Sequence, residues 1–360
     1  MAPPSRLEGF REGRGWGRIP PVLLHGGDGR GRWPPPYRME NNDLMNVLYK
    51  YSDLLPLSYF DEPTIKISVT EFLNDPFEIN ASENIYLSMK NHLASMAVDD
   101  KAIEDLLDLF SETIKIMLSV NGVISLSETP RNSLMWAHYA RQHNGICIGY
   151  KRDFLKHIKA SDDLQIVIND PRKVNYDNLR FETDFHYKDN RNIDRDSIIQ
   201  HLLKKSDEWI YEKEHRCIIP YSKANKIIVL NDNPKIDYIQ WPAMDDRLRN
   251  YRVGVDFKPV IEEAIKRQYI SKTETKNKYK INQEIINPAR CSLLQSSKDS
   301  LFLIDISPES IESIYFGCKV SNEIIKPYFD SLHKKYKLYR FTLSKKRFEL
   351  IPELLTADTF

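Results

Sequence analysis

The chain has 360 residues, 41% hydrophobic and 29% charged, with a formal net charge of +1. This is enough apolar material for one large core or two smaller ones, and the near-neutral balance provides no global field that would draw in nucleic acid or an acidic lipid surface. The four cysteines, Cys147, Cys217, Cys291 and Cys318, lie far apart without a CxxC pair. That spacing argues against a zinc site or a disulfide framework and for reduced thiols in the cytoplasm. No apolar run approaches about 18 residues, so no membrane-spanning helix and no membrane partner are expected.

The first 38 residues hold eight of the 13 glycines, seven of the 20 prolines and seven arginines, but no lysine. Such a segment has no apolar face to bury and is expected to be disordered. We read 1–38 as a non-native upstream extension with Met39 as the start; the alternative is a basic flexible arm. A single α+β domain is expected over 39–352, with a flexible tail over 353–360.

Taken in chain order, LYKYSDLL from Leu48 reads as a strand entering a turn at Pro56, and TIKISV alternates as a strand. Asn74-Asp75-Pro76 is a turn signal. Residues 82–120 carry apolar side chains at helical spacing, including Leu106, Leu107, Phe110, Ile114, Met117 and Leu118. Asn121-Gly122 predicts a turn before the strand GVISLSE. Ser133 is placed to cap a short helix, LMWAHYARQH, that ends at Asn144-Gly145; ICIGYK then reads as a buried strand. QIVINDPRKVNY supplies a strand and turn, residues 194–211 an amphipathic helix, and HRCIIPY a strand. Residues 221–300 are polar and read as a variable, loop-rich insertion. LFLIDIS, a helix near 321–335 and KLYRFTLS form a strand-helix-strand unit. Strands and helices alternate without a regular βαβ order, which predicts an α+β fold with a mostly antiparallel central sheet and flanking helices.

The chain lacks GxxxxGK[ST], GxGxxG after a strand, HExxH and GxSxG. P-loop hydrolysis, Rossmann redox chemistry, zincin proteolysis and α/β-hydrolase chemistry are therefore set aside. The run WIYEKEHR, Trp209 to Arg216, is the leading candidate site. On a strand, Glu212, Glu214 and Arg216 would share one face. Two close carboxylates raise each other's pKa, and Arg216 would hold one of them ionised. That grouping suits binding a ribose hydroxyl or stabilising a cationic, oxocarbenium-like centre. The competing reading is a solvated strand face with an exposed salt bridge. In LMWAHYARQH, Trp136 is read as core, and His138 either as a base or ligand or as a hydrogen-bonded structural residue; Tyr139 shares a face with Trp136. Lys50 is a candidate phosphate contact and Tyr51 a ring for stacking, against an edge strand with an exposed lysine. Ser68 is a candidate ligand donor. Glu78 is weighed as functional against a structural role for NDPFE. His143 and Cys147 are poorly placed for a metal site.

FLNDPFE, SLSETPRNSLMWAHYARQHNGICIGY and WIYEKEHR, in this order after LYKY, resemble a widespread bacterial family of unknown function. Its members carry NDPFE, LMW-x-HYA-x-x-H-x-G-x-C-I-G and W-x-x-E-x-E-x-R blocks. The similarity runs from about Leu48 to about Pro220, and FLIDISPESIESIYFGCKVS fits the family's last part. Leu73 stands where phenylalanine is common. More distantly, Lys50, Ser68 and Glu212-x-Glu214 resemble the arginine-specific ADP-ribosyltransferases, which place a basic residue, a serine and Glu-x-Glu on successive strands. This chain has lysine where arginine is usual. That resemblance implies a split-sheet fold and NAD as substrate. In it, Lys50 faces the phosphates, Ser68 orders the nicotinamide ribose, Glu214 binds the ribose hydroxyl and Glu212 positions a protein or nucleic-acid acceptor. The function so implied is ADP-ribosyl transfer or NAD cleavage by a toxin or anti-phage effector. Two alternatives stand beside it. One is a non-enzymatic binding or regulatory module. The other is nucleic-acid processing with magnesium held by Asp75, Glu78, Glu212 and Glu214.

Overall fold

The computed structural model describes residues 46–78, 80–96, 99–159, 166–182, 193–238, 252–287, 290–291 and 294–360. The expected upstream extension, residues 1–38, lies outside the described residues.

The strands are spread along the described chain. In the first part of the chain these are β1 (Val47–Ser52), β2 (Thr64–Ile67), β3 (Asn121–Ser127), β4 (Ile146–Lys151), β5 (Ile168–Lys173), β6 (Asn175–Tyr176), β7 (Lys204–Lys205) and β8 (Glu214–Pro220). The second part adds β9 (Lys226–Val229), β10 (Ile270–Lys272), β11 (Lys278–Ile281), β12 (Ser300–Asp305), β13 (Ile311–Phe316), β14 (Lys337–Leu343) and β15 (Leu350–Leu354). The helices are α1 (Glu83–Ser95), α2 (Asp100–Val120), α3 (Ser133–Tyr139), α4 (Ile193–Leu202), α5 (Lys258–Lys266) and α6 (Asn322–Leu332). Among the described residues, no helix is long and apolar enough to cross a membrane.

An eight-stranded sheet runs β15-β14-β13-β4-β1-β3-β8-β5, and a five-stranded sheet runs β10-β11-β9-β12-β2. In the large sheet only β13 and β14 pair in parallel, joined through α6; its other neighbours are antiparallel. The fold is α+β, as the mixed element order predicts. Side-chain alternation sorts the large sheet into two faces. Leu48, Ile124, Leu126, Cys217 and Ile219 belong to the core shared with the five-stranded sheet, α5 and α6. Val123 and Ile218 face α1, α2 and α4 on the other side. On that same side Tyr49, Tyr51, Trp136, Tyr315 and Phe341 form an aromatic cluster under α3.

Several elements depart from their sequence reading. The 82–120 helix is two helices, with Ser82 and Asp99 as N-caps. Asn121-Gly122 makes no turn: α2 passes directly into β3. Asn121 takes over the work of a loop, its side chain donating to Met117 O at 2.7 Å and accepting from Ile166 N at 3.0 Å. Helix α3 stops at Tyr139 and is capped by Asn132 rather than Ser133. Arg141, Gln142 and His143 all have positive φ, so the chain turns left-handed there and cannot continue a helix. The 194–211 helix ends at Leu202, and Asp207–Glu212 forms a 3-10 turn. The stretch 221–300, read as loop-rich, contributes β9, β10 and β11 to the second sheet and also forms helix α5. Residues 353–360, read as a tail, complete β15 and bring the Phe360 ring to 5.2 Å from that of Phe329.

Candidate functional site

The site begins with a gap in the large sheet. β3 pairs with β1 only at Tyr49↔Ser127. Four residues away it is held instead by the end of β2, through the bridge Ser68↔Val123, with Ser68 N to Val123 O at 2.8 Å and Val123 N to Ser68 O at 3.1 Å. Gly122 makes this crossing possible, since a Cβ there would lie 2.6 Å from Ser68 O. Ser125 has the same parity as Val123 and Ser127, so its backbone carbonyl points into the gap. Lys50 reaches across and donates to that carbonyl at 3.0 Å. A cavity of about 420 Å³ opens here, lined by residues from both sheets and from α3. Its volume falls in the range of small-molecule sites.

One wall is a buried charge network. Arg216 on β8 donates to both oxygens of Glu214, from Nε at 2.7 Å and Nη2 at 3.0 Å, and from Nη1 to Leu202 O at 2.8 Å. It also pairs with Glu78. Lys205 Nζ lies 2.6 Å from Glu212 and 3.5 Å from Glu214, with the Trp209 ring centroid 4.5 Å away. Tyr139 donates its hydroxyl to Glu212 at 2.6 Å and accepts from Asn74 Nδ2 at 3.1 Å. The Glu214 backbone amide is held by Tyr176 Oη at 2.8 Å. Burial alone would raise the Glu214 carboxyl, but Arg216 and Lys205 bring it down to about 2. Burial keeps Glu78 above the usual carboxylate range against the pull of Arg216 and Lys205. Burial also opposes charge on Lys205 and Arg216, yet the surrounding glutamates leave both pKa values raised. Burial and Glu212 together push the Tyr139 phenol up.

The opposite side carries amines without acidic partners. Burial and then the charge of Lys66 lower Lys50 to about 8, with Glu214 pulling the other way. Among the described residues neither Lys50 nor Lys66 forms an ion pair with a carboxylate.

Lys50, Tyr51, Ser68, His138, Tyr139, Glu212, Glu214 and Arg216 all line this one cavity, as does Glu78, whereas Asp75 does not. The solvated-face reading fails, because Glu212, Glu214 and Arg216 are buried. The shared-strand reading of the three is also corrected. Only Glu214 and Arg216 lie on β8, while Glu212 ends the 3-10 turn and Lys213 between them is left-handed. Tyr51 is committed elsewhere: its ring packs edge-on against Trp136 at 5.3 Å and its hydroxyl donates to Thr129 O at 2.7 Å. β1 is an inner strand, not an edge. His138 is exposed at the rim, with its ring 6.3 Å from that of Tyr211. Trp136 is wholly buried, as read. Asp75 accepts from Phe77 N at 3.0 Å. Among the described residues, no group of three or more His, Cys, Asp or Glu side chains is placed to hold a metal ion.

Lys205, Lys66, Ser125 and Tyr176 were not singled out from the sequence. Lys205 hid inside the helix expected over 194–211. The signal for the break was Ser206-Asp207-Glu208, a helix-start pattern; Ser206 Oγ accepts from Glu208 N at 3.4 Å.

The segment from α3 through the first half of β8 therefore supplies most of the charged wall. Residues 135–217 match DUF2971, a protein family of unknown function. The match takes in His138, Tyr139, Lys205, Glu212, Glu214 and Arg216, while Lys50, Ser68 and Glu78 come from outside it. No curated protein and no solved structure matches the chain.

Proposed function

We propose that the cavity binds NAD and cleaves its nicotinamide–ribose bond, passing ADP-ribose to a protein or nucleic-acid acceptor or to water, in a cytoplasmic toxin or anti-phage defence effector. The observation that carries this reading is the meeting of Lys50, Ser68, Glu212 and Glu214 in one cavity, carboxylates on one wall and amines on the other. As the C1′–N bond breaks, its electron pair leaves with nicotinamide and positive charge develops on the ribose. Glu214, held ionised, stabilises that charge and accepts a hydrogen bond from a ribose hydroxyl. A carboxylate has about four lone-pair positions. The 3.5 Å contact to Lys205 is the longest ion-pair distance at Glu214, and so the easiest to exchange for the substrate. Glu212 orients the incoming nucleophile and takes its proton as the new bond to C1′ forms. Lys50 faces the phosphates and Ser68 the nicotinamide ribose.

Purified protein incubated with NAD is expected to release nicotinamide, and Glu214→Gln to release it at least about 100-fold more slowly. Wild type and variant equally inert across protein, nucleic-acid and water acceptors would refute the proposal. The closed ion-pair network also supports a second reading, a non-enzymatic binding or regulatory module. In that case Glu214→Gln lowers the melting temperature while wild type and variant alike release nothing.

A further inference from the structure

Arg216 and Lys205 each face carboxylates, but the two lysines on the other side of the cavity do not. Lys50 comes from β1 of the large sheet and Lys66 from β2 of the small one, and both line the cavity. Lys50 has three donors and uses one, on the Ser125 carbonyl at 3.0 Å. The positive charge of Lys66 is felt at Lys50 strongly enough to be the second cause of its lowered pKa. Lys66 is exposed, so solvent screens part of this repulsion, and an anion held between the two amines would remove the rest. Glu78, Glu212 and Glu214 do not supply it, because Arg216 and Lys205 already engage them. With all seven groups ionised, five cations and anions of the wall leave one negative charge and the lysine pair adds two positive, so the cavity favours an anion on the lysine side. Phe72 and the exposed His138 line the same cavity and supply rings for a base to stack on.

We propose that Lys50 and Lys66 form an anion subsite that takes the diphosphate of a nucleoside-diphosphate ligand, with Lys66 supplying the second cation. This deepens the NAD reading and shares its cavity, but it concerns the diphosphate alone. Phosphoryl groups could come from a free nucleotide or from a nucleic-acid backbone; the cavity volume of about 420 Å³, in the small-molecule range, favours the nucleotide.

The test is calorimetric titration of the full chain at low salt with ADP, inorganic pyrophosphate and a short single-stranded oligonucleotide. Wild type is expected to bind ADP and pyrophosphate. Lys66→Met is expected to bind both about tenfold or more weakly, and Lys66→Arg to retain binding. Lys66 is the variant of choice because Lys50 also completes the sheet at Ser125. Failure of wild type to bind either probe, or equal binding by wild type and Lys66→Met, would overturn the subsite. Tighter binding of the oligonucleotide than of ADP, lost in Lys66→Met, would overturn its assignment to a nucleotide. ADP binding that depends on Lys66, without nicotinamide release from NAD, would uphold the subsite and remove the NAD chemistry. Nicotinamide release with an unchanged KM in Lys66→Met would do the reverse.

Discussion

Replacing Glu214 by glutamine keeps the shape of the side chain and removes its charge. Arg216 then keeps Glu78, and Lys205 keeps Glu212, but the bidentate carboxylate between them is gone. The size of the loss follows from the carboxyl's own equilibrium. Its pKa falls from an ordinary 4.5 to about 2 in the folded chain, and at about 1.4 kcal/mol per pH unit this amounts to about 3 kcal/mol of stability at neutral pH. For a chain of this size that corresponds to a melting temperature lower by roughly 4–5 °C. The pH dependence has a definite sign. A carboxylate with a depressed folded pKa contributes fully above its unfolded pKa and loses that contribution as pH falls through the folded value. The gap between wild type and Glu214→Gln should therefore be widest above about pH 5 and close progressively toward pH 2. Thermal melts by circular dichroism across that range would measure it. A gap below about 1 °C at pH 7, or one that stays constant down to pH 3, would refute the assignment of Glu214 as a stabilising, permanently ionised centre.

Arg216→Met should be worse than Glu214→Gln, because it leaves Glu78 and Glu214 buried without their guanidinium. A loss of about 3–5 kcal/mol is expected in denaturant melts at pH 7, shrinking at acid pH as the stranded carboxyls protonate. Gly317→Ala should cost about 2 kcal/mol, since a Cβ there would lie 2.1 Å from His143 O in a turn whose residues already have positive φ. A melting temperature unchanged in that variant would show that the 141–143 turn yields freely.

Strand and helix identity was legible wherever the apolar period was clean. β2 and β4 follow directly from alternation, and α2 from its i, i+4 stripe. The errors share a physical form: a polar side chain or a left-handed residue does work that a sequence pattern assigns to something else. Asn121 looked like half of an Asn-Gly turn, yet both ends of its amide are spent joining α2 to β3. The 221–300 stretch looked loop-rich because β9, β10 and β11 are only three or four residues long, too short for period to speak.

The candidate site shows the same thing more sharply. Alternation along a strand does bring Glu214 and Arg216 to one face, but it does not explain Glu212. Glu212 arrives from a 3-10 turn, and Lys213 takes φ 47° so that the chain can pass from turn to strand between two carboxylates. Their proximity is tolerable only because Lys205 lies against both, and Lys205 is placed by the two-residue pairing of β7 with β6. No local pattern announces that pairing. Its consequence is that the charge state of WIYEKEHR is set in part by residues outside it: Lys205 joins Arg216 in lowering Glu214, and Glu78 joins Glu214 in raising Arg216. A substitution at Lys205 would then let the Glu214 carboxyl rise without touching the Glu-x-Glu motif.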